Sequence, residues 1–136
     1  ILKLFKSEIV RMAENGSMII FSSHRMEHVE LFCKKLVVLL KGKSVLEGNL
    51  VDIKKQYRKK NIKVCGDIDV LEVKKIKGVV SVLEEASQYE IKIESEDVVP
   101  LVFEYVSRCS NITKFVVEEP SLNEIFVEKV GESYEK

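Results

Sequence analysis

The chain has 136 residues, of which 46% are hydrophobic and 32% charged, and 22 Lys and Arg balance 22 Asp and Glu. This composition excludes a disordered or fibrous protein and predicts a packed core, at a length that suits one ordinary domain or two small ones. No apolar run approaches the roughly 18 to 20 residues that cross a bilayer. The 3 cysteines include no CxxC pair and indicate neither a disulfide framework nor a cysteine zinc site.

Charge divides the chain into two parts. The first 60 residues carry 13 Lys and Arg against 6 Asp and Glu, whereas the remaining 76 carry 9 against 16. This asymmetry predicts two units with different surroundings. Because Ile1 opens in the middle of an apolar helical pattern, we expect the chain to begin inside a longer protein.

Helices and strands alternate in the first part. Apolar residues at positions 2, 5, 9 and 12 predict a helix over 1–14, which Asn15-Gly16 ends. The continuous apolar run at 18–21 predicts a strand buried on both faces, as in a parallel sheet. The later predicted elements are a helix at 26–33, a second buried strand at 36–40, a hairpin turn at 41–43 and a capped helix over 50–57.

From residue 61 onward the pattern changes to short elements in the order βαββαβ. The predicted strands are 62–65, 79–84, 89–94 and 112–118, and the predicted helices are 67–77 and 96–109. Ile91 and Ile93 alternate with charged residues, which predicts an antiparallel sheet with one wet face and two helices over the other. This is a ferredoxin-like arrangement. Pro120-Ser121 opens a final helix with one apolar stripe, and we place the boundary between the two parts near residues 57–61.

The polar residues Ser22, Ser23 and His24 follow directly on the apolar run at 18–21. Ligands of open α/β sheets bind beyond the carboxyl ends of such strands. An imidazole there can donate a hydrogen bond to a phosphate oxygen while a carbonyl or carboxylate orients its other nitrogen. A histidine at a strand end can equally be a structural polar cap, and the residues alone leave both interpretations open.

The stretch from His24 to His28 also matches the H-x-x-E-H string of inverted zinc peptidases. In those enzymes both histidines lie on one helix, whereas here His24 is predicted to end a strand. We therefore predict no metal site and a helix-surface role for His28.

A basic stretch comprises Lys54, Lys55, Arg58, Lys59 and Lys60. Only one aromatic residue interrupts it, so it offers no stacking platform for bases. We predict a solvated helix end and no nucleic-acid partner. The sequence contains no GxxxxGK[ST] loop, so this chain cannot grip a nucleotide by that means.

Several blocks in register resemble the C-terminal part of ABC transporter ATP-binding subunits. They are IIFSSHRME at 19–27, ELFC at 30–33, LVVL at 36–39, KGK at 41–43 and LEGNL at 46–50. The closing EPSLNEIF at 119–126 resembles the final helix of the accessory domain of many bacterial export-type subunits. Lys34-Lys35 departs from the Asp-Arg that the family commonly shows after the cysteine.

The resemblance implies the C-terminal piece of a P-loop ATPase sheet at 1–58, followed by a ferredoxin-like α+β accessory domain with a final helix at 61–136. It also implies that His24 is the catalytic switch histidine, which contacts the γ-phosphate of ATP and helps to position the attacking water. Ser23 would lie on the same γ-phosphate side. ATP and Mg²⁺ are the implied cofactors of the parent ATPase. We expect none for this chain alone, and no hydrolysis, because the other nucleotide-binding motifs would precede residue 1.

The implied partners are a second ATPase subunit in a homodimer and membrane permease subunits, which would place the protein in the cytoplasm at the inner face of the cell membrane. Because the strand at 18–21 would lack parallel neighbours, we expect self-association through 1–50. Two alternatives remain. One is a non-catalytic regulatory or dimerisation module that binds a small ligand or a protein through 61–136, and the other is a small zinc hydrolase.

Overall fold

The computed structural model describes residues 1–134, which form six α-helices and six β-strands in a mixed α and β architecture. The helices are α1 (Leu2–Glu14), α2 (Met26–Phe32), α3 (Leu50–Gln56), α4 (Val70–Lys74), α5 (Val99–Ser107) and α6 (Leu122–Tyr134). The strands are β1 (Lys35–Leu40), β2 (Lys43–Asn49), β3 (Lys60–Asp67), β4 (Val79–Glu85), β5 (Gln88–Ile93) and β6 (Ser110–Glu118). A 3₁₀ turn, Glu96–Val98, leads into α5. None of the described helices has the length and apolar character needed to cross a bilayer.

The described chain divides into two compact units. The first contains Ile1–Lys54 and the described residues from Ser121 onward, and the second contains Lys55–Pro120. The predicted βαββαβ order is confirmed and lies in the second unit. The final helix α6 belongs to the first unit, where it packs on α2 and β2, although the sequence pattern grouped it with 61–136. An apolar stripe shows that one side of α6 must be buried, but it does not specify which unit supplies the surface that buries it.

The second unit is built on a four-stranded antiparallel sheet of order β4-β5-β3-β6. Ile62 of β3 lies opposite Ile91 of β5, and both side chains are fully buried. Val73 of α4 and Val102 of α5 belong to the same core, so both helices cover one face of the sheet. The other face carries polar side chains such as Lys63, as the alternating pattern predicted.

The strands β1 and β2 form the predicted hairpin. Its two-residue turn is Lys41-Gly42, with φ values of 50° and 77°, the left-handed backbone that matches the twist of paired strands. Leu36 and Val38 are buried, but Val37 and Leu39 are exposed. The prediction of a strand buried on both faces is therefore wrong here, because only one face of this two-stranded sheet is packed against the described chain.

Residues 18–21 do not form a strand. The side chains of Met18 and Ile20 are both 91% exposed, whereas Phe21 is half-buried. The predicted buried strand is wrong for this chain, because no strand of the described residues pairs with the segment. A lone strand leaves its backbone N–H and C=O groups without ladder partners and its apolar side chains without a covering layer.

Helix α6 begins at a serine cap. The Ser121 hydroxyl oxygen accepts a hydrogen bond from the Glu124 N–H at 3.2 Å, and it lies 3.4 Å from the carboxylate of the same residue. Pro120, Leu122 and Ile125 are almost completely buried. The sequence signal, a Pro-Ser pair before an apolar stripe, thus specifies both the start of the helix and the side that packs.

Replacing Ile125 by alanine should lower the free energy of unfolding of the first unit by about 2 to 5 kcal/mol, because it leaves a cavity in a packed site. Val127→Ala on the exposed side of the same helix should change it by less than about 0.5 kcal/mol. Urea denaturation followed by circular dichroism measures both. Equal effects of the two substitutions would contradict the packing of α6.

Candidate functional site

Three phenylalanines hold the chain where it enters the polar triplet Ser22-Ser23-His24. The Phe21 ring centroid lies 6.5 Å from that of Phe5 on α1 and 5.4 Å from that of Phe32 on α2. Phe5 and Phe32 meet edge-to-face with centroids 5.4 Å apart. Each such pair stabilises by about 0.5–1.5 kcal/mol beyond the burial of area. This phenylalanine cluster fixes the point at which the triplet leaves the packed part of the first unit.

The cluster joins three separate segments of the chain: α1, the apolar run at 18–21 and α2. The sequence pattern does not predict this contact, and its one indication is a phenylalanine at the end of the apolar run, next to the polar triplet. Cys33, which follows the cluster at the end of α2, is half-buried, and this burial raises the pKa of its thiol. A protonated thiol is a weak nucleophile, so Cys33 is not a candidate for covalent chemistry.

Beyond the cluster the backbone turns into α2. The Ser23 hydroxyl oxygen accepts a hydrogen bond from the Arg25 N–H at 3.0 Å. Arg25 caps α2 with an extended backbone, and its guanidinium donates to the Glu27 carboxylate over 3.0 and 3.1 Å. The hydrogen bond from Glu27's own backbone N–H, followed by that from Arg25, holds the pKa of the Glu27 carboxyl below its ordinary value. A carboxylate with a lowered pKa is a poor proton acceptor.

His24 lies in the bend between the cluster and α2, and its side chain is exposed. Two packed or hydrogen-bonded structures therefore flank it: the half-buried ring of Phe21 before it and the Ser23–Arg25 turn around it. An exposed imidazole on a constrained backbone can reach a ligand that other parts of a protein hold, and it can donate from either ring nitrogen.

The H-x-x-E-H string does not produce the paired helical histidines of the zinc peptidases. His28 lies on α2 with its ring 6.3 Å from that of Phe32, whereas His24 precedes the helix. Glu27 is engaged with Arg25. Across residues 1–134, no group of three or more His, Cys, Asp or Glu side chains could hold a metal ion.

The basic stretch is partly neutralised by carboxylates. Lys54 forms an ion pair with Glu30 of α2. The Lys60 ammonium lies 3.7 Å from the Glu119 carboxylate. Cations that are engaged in this way contribute less to the continuous positive surface that a nucleic acid would need.

Comparison with known families matches residues 48–130 to the family described as ATP-binding protein DrrA1-3-like, C-terminal domain. The chain is 40% identical over 133 residues to the ABC transporter ATP-binding protein YhaQ of Bacillus subtilis strain 168, an alignment that covers 98% of this chain and 45% of that protein. It is 36% identical over 132 residues to the ABC transporter ATP-binding protein BpOF4_11395 of Alkalihalophilus pseudofirmus, with coverages of 97% and 49%. The chain thus spans about half the length of these curated relatives.

Phe21→Ala should speed amide hydrogen exchange in α1 by about 10-fold or more, because two aromatic pairs are lost. Helix α1 contains no buried residue, and a 13-residue helix is marginal without tertiary contacts, so its protection depends on the cluster. The neighbouring Ile20→Ala, at a side chain that is 91% exposed, should leave exchange in α1 nearly unchanged. Equal exchange rates in the two variants, measured by mass spectrometry, would show that the cluster does not hold α1.

Proposed function

The chain belongs to the ABC transporter ATP-binding proteins and carries the C-terminal domain of their DrrA1-3-like members, and from this premise we propose that it is part of the ATP-hydrolysing, energy-coupling subunit of a bacterial exporter. The observation that carries the proposal is the extent of the likeness. Two ABC transporter ATP-binding proteins match 98% and 97% of the chain, so the likeness extends across both units.

His24 is the proposed catalytic residue. Its imidazole would donate a hydrogen bond to the γ-phosphate of ATP, where negative charge must be stabilised during transfer, and would help to orient the attacking water. The exposed position of His24 and the anchoring of Phe21 support this role, because a ligand can reach the ring while the backbone stays in place. The other groups that act on the attacking water would be supplied by parts of the subunit outside this chain.

Ser23 is proposed to lie on the same γ-phosphate side. Its hydroxyl oxygen already accepts the Arg25 N–H, which leaves its own proton available for a phosphate oxygen. Two polar side chains are too few to hold a nucleotide, and the sequence lacks a phosphate-gripping glycine loop. ATP and Mg²⁺ would therefore be held mainly by parts of the subunit outside this chain, where the ion would neutralise phosphate charge.

The exposed apolar side chains near the start of the chain support a place within a larger ATPase domain. Met18 and Ile20 are almost fully exposed, and α1 presents Leu4 at 74% exposure. Removal of exposed apolar surface from water is favourable, so such a surface commonly marks a place where another part of a protein packs. We propose that neighbouring strands of a P-loop ATPase sheet cover it in the whole subunit, and that copies of this chain associate through 1–50 when those strands are absent.

The second unit is proposed to be a ferredoxin-like accessory domain. Its strand order β4-β5-β3-β6 and the two helices on one face support this assignment. The whole subunit would act as a homodimer beneath two membrane permease subunits, at the cytoplasmic face of the membrane. The transported substrate would contact the permease.

An alternative function is a non-catalytic regulatory or dimerisation module that binds a small ligand or a protein through the second unit. The observation in its favour is that this unit has a complete core of its own, independent of the His24 region. A fold of this kind does not by itself choose between bracing, binding and dimerisation.

His24→Ala in the full-length subunit should lower the rate of ATP hydrolysis by about 100-fold or more, because one donor to the transition-state charge is removed. His28→Ala is the matched control. It lies four residues further on, against Phe32, and should keep most of the activity. A steady-state phosphate-release assay measures both variants, and an undiminished rate in His24→Ala would remove the assignment.

The 136-residue chain alone should neither bind nor hydrolyse ATP, because it provides no phosphate-gripping loop. Isothermal titration with MgATP should give no heat of binding, and the unfolding temperature should not shift with the nucleotide. Tight binding of MgATP by the chain alone would contradict this division of roles. A thermal shift with another small ligand, without a response to ATP, would favour the regulatory alternative.

A further inference from the structure

The strand β6 leaves one edge of the four-stranded sheet open. It has nine residues and pairs on one side with β3, and no strand of the described chain pairs with its other side. Residues 114–118 run opposite 65–61 of β3 without a register shift, so this part of the edge is regular. Thr113, Lys114 and Val117 are exposed. A regular exposed edge offers a row of backbone N–H and C=O groups to another strand.

An exposed apolar margin lies along the same edge. The rings of Phe115 on β6 and Phe103 on α5 meet edge-to-face with centroids 5.2 Å apart. Phe103 is 54% exposed and Val117 is 41% exposed. These side chains lie on the helix-covered face, where α4 and α5 do not complete the covering layer at the β6 side.

The sequence of β6 is complementary to itself when two copies run antiparallel about Val116. In that register Lys114 of each copy lies opposite Glu118 of the other on the polar face. Phe115 lies opposite Val117 on the helix-covered face. Opposite charges and aromatic–β-branched pairs are the favourable cross-strand neighbours in antiparallel sheets.

We propose that the β6 edge pairs with the β6 edge of a second copy of this chain, which joins two four-stranded sheets into one of eight strands. Both sets of helices would then lie on the same side, and the two apolar margins would meet across the symmetry axis. The side chain of Glu118, now 2.9 Å from Lys63 and 43% exposed, would be shared between Lys63 and the second copy's Lys114. Lys114 contacts a neutral amide oxygen, that of Gln88 at 3.3 Å, which it can give up for a carboxylate.

The opposite edge of the sheet suits such pairing less well. The pairing of β4 with β5 has an irregularity between Val79 and Ser81, and β4 ends in the acidic pair Glu84-Glu85. Irregularities and exposed charges are the devices by which sheet edges resist pairing. In β6 the charged residues Lys114 and Glu118 have opposite signs, and each lies across the axis from the other residue of the second copy. They therefore favour pairing with a copy over pairing with an unrelated strand.

The proposed contact is small, so we expect weak association of the chain alone. Two such units in one larger dimer would be held at a high effective concentration, and weak pairing would then suffice. The inference does not depend on any role of His24, and it uses a surface separate from residues 1–50.

Charge reversal tests the register. The dimer has two contacts between position 114 of one copy and position 118 of the other. Lys114→Glu places two carboxylates at each of these contacts, and Glu118→Lys places two ammonium groups there. Each variant alone should dissociate roughly 10-fold more readily than the unmodified chain. An equimolar mixture should recover association, because its mixed dimer again places a carboxylate opposite an ammonium group at both of these contacts.

Sedimentation equilibrium at concentrations up to about 1 mM, where weak association is detectable, measures the dissociation constant of all four samples: the unmodified chain, the two variants and their mixture. Association through residues 1–50 would leave the samples alike, and this result would overturn the proposal. A strictly monomeric unmodified chain, or a mixture no better associated than its components, would overturn it as well. Circular dichroism of each variant shows whether it is folded.

Cross-linking provides a second test that does not alter the charges. The 3 native cysteines are first replaced by serine. In the Val116→Cys variant, the new cysteine then lies opposite the same cysteine of the second copy, within the range for a disulfide. Thr113→Cys is the control, because in this register its two copies lie about 20 Å apart. Mild oxidation should yield covalent dimer rapidly for Val116→Cys only. Equal yields from the two variants would contradict the register.

Discussion

The hydrogen-bonding requirement of the backbone decides how each apolar segment of this chain folds. The strand β3 has neighbours on both sides, and its residues Ile62 and Val64 are fully buried. The strand β1 has one neighbour and keeps an exposed face. Residues 18–21 have no neighbouring strand among the described residues, and this apolar run stays irregular. The burial of apolar side chains in these three segments thus follows the number of neighbouring strands.

The region around His24 shows what takes the place of a sheet when no strand is available. Packing of Phe21 against Phe5 and Phe32 ties the irregular segment to two helices, and the Ser23–Arg25 turn fixes the chain on the other side of the histidine. The site thus keeps a defined backbone without ladder hydrogen bonds. This suits a residue that contributes one donor to a ligand held elsewhere, since placement of the donor is then its main contribution.

The two units differ in how their cores are built. The first unit buries little around its helix α1, and its core relies on the hairpin and on Leu122 and Ile125 of the returning helix α6. The second unit has a closed core of eight buried apolar residues, under two helices. Its open features are the polar sheet face and the β6 edge. A self-contained core with one regular edge is the form expected of a module that adds contacts to a larger assembly.

The sequence by itself determines the local order: the helices at 1–14, 26–33 and 50–57, the hairpin turn at 41–43, the βαββαβ order and the start of α6 at Pro120-Ser121. These features follow from periodicity, turn chemistry and caps, which act over a few residues. The family also followed, because several short blocks in register are specific. Tertiary structure alone decided three things: that residues 18–21 lie outside the sheets of the described residues, that Phe5, Phe21 and Phe32 meet, and that α6 returns to the first unit. Each of these depends on which surfaces meet across long stretches of chain, and periodicity shows that a side chain will be buried without showing which surface will bury it.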